Sequence, residues 1–134
     1  VLVAECLLVF KRDVEVLGML DIALPVQKQL EAYNARDIDA FMPWWADDCH
    51  YYAFPCTLLA KGAAEIRERH VERFREPDLH GRLLTRIVVD NVVIDHETVT
   101  RTFPEGKGEI DVVCFYEIEN GKIARAWLGE RRIF

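Results

Sequence analysis

The chain has 134 residues, 51% of them hydrophobic and 30% charged, enough apolar material for one buried core of ordinary domain size. Seventeen basic against twenty-three acidic side chains give a net charge of -6. That balance excludes a general nucleic-acid binder, which needs a basic face to displace counterions, and disfavours adhesion to an anionic membrane. There is no serine, so serine hydrolases are excluded too.

The first ten residues, VLVAECLLVF, are apolar but short of the ~20 that span a bilayer. Lys11 and Arg12 follow this run, whereas a signal peptide carries its charges in front. A chain opening on Val leaves its native start open. Residues 1–21 read as an N-terminal extension packed on the domain, helix or strand, and 22–134 as a single domain. Asp21 is placed to cap a helix with Pro25 in its first turn, where a missing N–H costs nothing. Val26, Gln29, Leu30 and Tyr33 mark one face of that helix, which ends near Asn34. Asp37 caps a second, short helix carrying Ile38, Phe41, Trp44 and Trp45. After the acidic turn Asp47-Asp48, HYYAF predicts a strand that Pro55 stops. Gly62 opens a third helix over 63–76, with Ile66, His70 and Phe74 at i, i+4 and i+8, and Pro77 ends it.

The second half predicts only strands. LHGRLLTRIVV and VVIDHETVT flank Asp90-Asn91, and DVVCFYEIE and KIARAWL flank Asn120-Gly121, a strong type I′ hairpin signal. Helices followed by antiparallel strands make an α+β domain with the helices on one sheet face. Pairing Val89 with Val92 sets Thr85 against His96 and Arg86 against Asp95. The more apolar of the two faces, with Leu83, Ile87, Ile94, His96 and Thr98, is expected to be the inner one. Arg86-Asp95 is then a cross-strand ion pair facing water or a partner, and Asp95 and Glu97 are surface charges. Pairing Glu119 with Lys122 sets Tyr116 beside Arg125 and Cys114 beside Trp127. The reverse side carries Val113, Phe115, Ala124, Ala126 and Leu128, an apolar patch rimmed by charge, expected to pack a homodimer.

No pair among Cys6, Cys49, Cys56 and Cys114, or among His50, His70, His80 and His96, stands at CxxC or HxxxH spacing. No metal is expected, and the thiols read as small buried groups of a reducing, cytoplasmic compartment. His70 reads as packing on the third helix, and His50 and His80 as solvated. Neither a P-loop nor GxGxxG occurs, so no nucleotide cofactor is implied, and no other cofactor is expected.

LEAYNARDIDAFMPWWADD, the aromatic strand after it, G-x-x-x-I-R, VIDHE and the closing GERRI resemble the nuclear-transport-factor-2-like superfamily over about residues 22–134. That group includes ketosteroid isomerase, SnoaL-like polyketide cyclases and scytalone dehydratase. The resemblance implies a cone-shaped α+β barrel, with three N-terminal helices on a curved, mainly antiparallel sheet enclosing a pocket, and frequent dimers. Matched to ketosteroid isomerase, the proton-shuttling aspartate falls at Ala53, the oxyanion-hole tyrosine at Gln29 and the protonated aspartic acid near Cys114. All three roles are vacant, so steroid isomerisation by that mechanism is not expected. The likeness to scytalone dehydratase is fuller: Tyr33-Asn34 stands for its Tyr-Asp pair, Tyr51 for its strand tyrosine and His96 for one histidine. Its other histidine falls near Leu83.

The expected site follows from these residues. His96, in mid-strand on the presumed apolar face, would transfer a proton, against the plainer reading of a core histidine bonded to Thr85 or Thr98. Arg125 would stabilise a developing negative charge, and Tyr51 and Tyr33 would donate to a substrate oxygen. Gln29, Trp45, Ala53, Phe54, Thr98, Cys114, Tyr116 and Trp127 would line a pocket for a small apolar or aromatic molecule. The corresponding functions are a cofactor-free lyase, isomerase or cyclase acting on a small hydrophobic ketone or hydroxylated ring, a non-catalytic binder of the same molecule, or a dimeric interaction module.

Overall fold

A computed structural model describes residues 21–133. The N-terminal extension expected over 1–21 lies, but for Asp21, outside them. A 3-10 turn at Asp21–Ala23 leads into α1 (Leu24–Ala35). The residue at the helix cap is Ala23 rather than the expected Asp21, and it makes no side-chain capping bond. Pro25 still occupies the first turn, and Arg36 closes the helix in the left-handed conformation, its N–H reaching the carbonyls of Ala32 and Tyr33. Asp37 caps α2 (Ile38–Phe41) as expected, accepting from the Ala40 N–H at 3.1 Å. Pro43 then tightens the chain into a 3-10 turn (Met42–Trp44).

Trp45, expected in the helix, instead begins β1 (Trp45–Ala53), which absorbs the acidic pair Asp47-Asp48. A strand not expected from the sequence, β2 (Thr57–Lys61), returns beside it. Gly62, at φ 87°, hands the chain to α3 (Ala63–Arg73), donating its N–H to the Cys49 carbonyl. Then come β3 (His80–Val89), β4 (Val92–Phe103), β5 (Gly106–Glu119) and β6 (Lys122–Arg132). The six strands run β2-β1-β6-β5-β4-β3, antiparallel except for the parallel pair β1-β6. The fold is α+β as expected. Among the described residues its sheet does not close into a barrel: β2 and β3 stand at the two edges, and the helices cover one face.

Both hairpin registers agree with the sequence reading at their turns, Val89 against Val92 and Glu119 against Lys122. Two bulges then change which residues share a face. In β3 the extra residue is Leu84, so Leu83 pairs with Glu97 while Thr85 pairs with His96. In β6 the extra residue is Ala124: Ile118 pairs with Ile123, but Tyr116 pairs with Ala126 and Cys114 with Leu128. Every β6 side chain past Ala124 therefore sits one position away from its expected face. The inner face holds Val93, Asp95, Glu97 and Val99 of β4 with Ile110, Val112, Cys114, Tyr116 and Ile118 of β5, all buried. Phe41, Ile66, Leu79 and Val26 fill the space between this face and the helices. Asn34 of α1 fastens the edge strand, donating to the Gly81 carbonyl at 2.9 Å and accepting from its N–H at 2.7 Å.

The homodimer patch changes accordingly. Val113 and Phe115 stay on the outer face, while Ala126 is fully buried, Ala124 is buried and Leu128 turns inward. The outer face presents instead Phe54 stacked on Phe115, with ring centroids 6.1 Å apart, and Tyr52 stacked on Trp127 at 5.6 Å. Among the described residues no helix is long and apolar enough to cross a membrane.

Candidate functional site

Between α1, α3 and the inner sheet face lies a cavity of about 50 Å3. A single water needs roughly 10–15 Å3, so a few waters or a small chemical group fit. Its walls are Gln29, Leu30 and Tyr33 from α1, Arg69, His70 and Arg73 from α3, Trp45 and Tyr51 from β1, and the central residues of β4, β5 and β6.

Glu97 is the outlier among them. It is only 5% exposed, and its Oε1 has no hydrogen-bond partner. Burial, reinforced by the neighbouring Asp95 and opposed by Arg86, pushes its carboxyl up to about 7 from the ordinary 4.5. Gly81 lies against that carboxyl and leaves room for Leu30: a Cβ there would crowd the Leu30 side chain at 3.1 Å and stand in ordinary contact with Oε1 at 3.5 Å. The other buried side-chain atom without a partner, among the described residues, is the indole Nε1 of Trp45, on the same cavity wall. A native fold rarely leaves such atoms orphaned, and each costs about 1–3 kcal/mol.

Beside Glu97, Asp95 is fully buried and bound in two-pronged fashion by Arg86, at 2.7 and 2.9 Å, while Arg86 also donates to Gln27 at 2.8 Å. This is the ion pair expected from the hairpin register, on the opposite face from that expected. Across the cavity, His70 bonds through Nδ1 to the Ile66 carbonyl at 2.8 Å. Burial holds it down at about 4, so the ring is neutral, with a proton on Nδ1 and a lone pair on Nε2. Burial likewise raises the phenols of Tyr51 and Tyr116, which stay protonated donors at neutral pH. Gln29 donates to the Tyr116 oxygen at 3.4 Å.

The cavity brings together Tyr51, Tyr33, Gln29, Trp45, Cys114 and Tyr116 of the expected residues. The others lie elsewhere. His96 belongs to the outer parity of β4, its Nε2 2.6 Å from Asp111 Oδ1, because the true inner parity is the one with the two carboxylates. Arg125 and Trp127 turn outward past the Ala124 bulge, and Arg125 is bound by Glu117 at 2.9 Å and Glu119 at 2.8 Å. Phe54 is 62% exposed, Thr98 lies on the outer parity between Arg82 and Asp111, and Ala53 stands off the cavity wall at the end of β1. Sequence reasoning passed over Glu97, taken for surface charge, and His70, taken for packing. Among the described residues no three His, Cys, Asp or Glu side chains gather to hold a metal.

A family model described as SnoaL-like domain matches residues 26–126. A search of curated protein sequences matched none. Among solved structures the chain is similar to a cystatin-fold protein from Novosphingobium aromaticivorans, at 25% identity and TM-score 0.74, covering 80% of this chain and 96% of that one. It is also similar to an LEH-like epoxide hydrolase of M. tuberculosis, at 13% identity and TM-score 0.72, covering 85% of each chain. A third is AclR, described as a putative hydroxylase from Streptomyces galilaeus, at 17% identity and TM-score 0.73, covering 86% and 81%. The last two likenesses concern the fold.

Proposed function

The chain belongs to the SnoaL-like domain family, and from that premise we propose that its cavity is the site of a cofactor-free, proton-transferring enzyme in which Glu97 is the acid-base. One observation carries this reading: a buried carboxyl and a buried indole N–H, both without partners, belong to two residues that line one small cavity. A substrate oxygen accepting from Trp45 would satisfy the indole. A proton on the neighbouring carbon, or on a hydroxyl, would pass to Glu97 Oε1. A carboxyl poised near 7 both accepts and returns a proton at neutral pH, which isomerisation and dehydration require. Tyr51 and Tyr116, kept protonated by burial, supply further donors to the charge that develops on the oxygen. The carboxylate missing at Ala53 and Cys114 is on this reading supplied from β4. The substrate class is a small ketone or hydroxylated ring.

The test is hydrogen–deuterium exchange next to the carbonyl of small cyclic ketones, 2-indanone among them, followed by NMR in D2O. The wild type is expected to accelerate exchange with a rate that climbs through about pH 7 as Glu97 ionises. Glu97→Gln is expected to lose about a hundredfold or more. Equal rates for the two proteins would overturn the assignment, and ligand binding without exchange would favour the non-catalytic binder.

We further propose that the outer sheet face pairs two copies of the chain. The support is the line of partly exposed apolar side chains across it: Ile94, Val113, Phe115, Trp127 and Tyr52, with Phe54 and Ile87 at 62% and 50% exposure.

A further inference from the structure

A second space lies beside the inner chamber. Arg69 and Arg73 border both the chamber and a wide outer cleft of about 530 Å3, bounded also by Glu72, Arg75, Glu76, Pro77, Arg101 and Thr102. The charges in this cleft are nearly all spoken for. Glu72 pairs with Arg75 at 3.0 Å. Glu76 accepts from Arg101 at 2.7 Å, lies 3.5 Å from Arg73, and takes the Thr102 N–H as well. Arg69 is the exception. Its guanidinium makes no ion pair among the described residues and packs over the Tyr51 ring, 5.3 Å from the centroid. That ring is itself buried and lines the chamber, so Arg69 is held on the wall that the two spaces share.

We infer that the substrate is a small monocarboxylate: a flat apolar body whose reacting end enters the chamber and whose carboxylate stays at the mouth on Arg69, with Arg73 alongside. This rests on the proposal that the cavity is a substrate site and says what occupies it. Four observations converge. The chamber is too small to take a whole ring system with its substituents, so part of any substrate must remain in the outer cleft. Arg69 is a guanidinium without an ion-pair partner, and a planar carboxylate matches its fork of donors. Glu76, and Glu130 on the chamber wall, limit the local excess of positive charge, which favours a single negative charge over a phosphate dianion. The ring-lined walls of Tyr33, Trp45, Tyr51 and Tyr116 suit an unsaturated body.

Matched acid and amide pairs test this directly: trans-cinnamate against cinnamamide, and phenylacetate against phenylacetamide, titrated calorimetrically at pH 8 and low ionic strength. Each acid is expected to bind about tenfold or more tightly than its amide. Arg69→Gln is expected to abolish that preference by weakening the acid alone, and Arg69→Lys to keep part of it. Amides binding as tightly as acids would overturn the monocarboxylate while leaving the cavity a ligand site. Arg69→Gln weakening both members equally would overturn it too, since Arg69 would then merely support the wall. If no member of either pair binds the wild type, the substrate-site reading falls, and this inference with it.

Discussion

His96 and Glu97 are joined by one peptide bond and live in different solvents. His96 is partly exposed on the outer face and has a carboxylate at 2.6 Å. Glu97 is buried on the inner face, with one oxygen bonded to nothing and its proton held to about 7. On polarity alone the histidine face of β4 is the better core, since it also carries Ile94 and, from β3, Ile87. The structure buries the other face, with Asp95 and Glu97 on it. The face of a strand is thus decided by what its neighbours can bury. The residues that break the hydrophobic pattern are those a folding core alone would not select, and that makes them informative about function.

Several changes would break or sharpen this contrast. The largest effect is expected at the buried pair. Arg86→Met should cost about 3–5 kcal/mol in urea unfolding, because it leaves Asp95 charged and alone. Arg86→Met combined with Asp95→Leu should recover most of that loss. Next is the pH dependence. Between about 4.5 and 7 folded Glu97 keeps a proton that the unfolded chain has given up, so its contribution to stability falls as pH rises through that window. Removing this cost should make Glu97→Gln more stable by about 3 kcal/mol at pH 8. His70 works in the opposite direction: neutral when folded down to about 4, it loses stability as pH falls from 6.5. The two slopes nearly cancel between 4.5 and 6.5. Urea midpoints across this range should therefore rise with pH for Glu97→Gln and fall with pH for His70→Gln.

A smaller effect is expected on the outer face. Phe115→Asp should weaken self-association about tenfold or more in sedimentation equilibrium without lowering the exchange rate. A concentration-independent monomer mass for the wild type would remove the dimer. The smallest is His96→Ala, which should cost under about 1 kcal/mol and leave exchange unchanged, as expected for a half-exposed hydrogen bond. Loss of exchange there would return the proton transfer to the histidine.

Much of the fold was legible because local rules agreed with the global result. The Asp37 cap, the Pro25 and Gly62 helix starts, the Ile66-His70-Phe74 stripe and both hairpin turns each follow from a few adjacent residues. The site was less so. Tyr33, Tyr51 and Gln29 came from family likeness, and Glu97 was hidden by strand alternation read on the wrong face. The pairing of Phe103 with Gly106 across Pro104-Glu105 sets Val99 against Ile110 and Glu97 against Val112. Extending the register through that turn to the uniformly apolar stripe of β5 would have put Glu97 inside. The bulges at Leu84 and Ala124 have no such signal, because an extra residue in a strand is fixed by distant packing.

The bulge at Ala124 also makes the pocket's chemistry editable. Downstream of it, Ala126 and Leu128 face inward and Arg125 and Trp127 outward. Deleting one residue would rotate the whole segment by half a turn, exchanging a smooth aliphatic wall for a guanidinium and an indole while leaving the hairpin turn at Asn120-Gly121 where it is. A change of length, with no side chain substituted, is therefore enough to reassign what a ligand meets on that side.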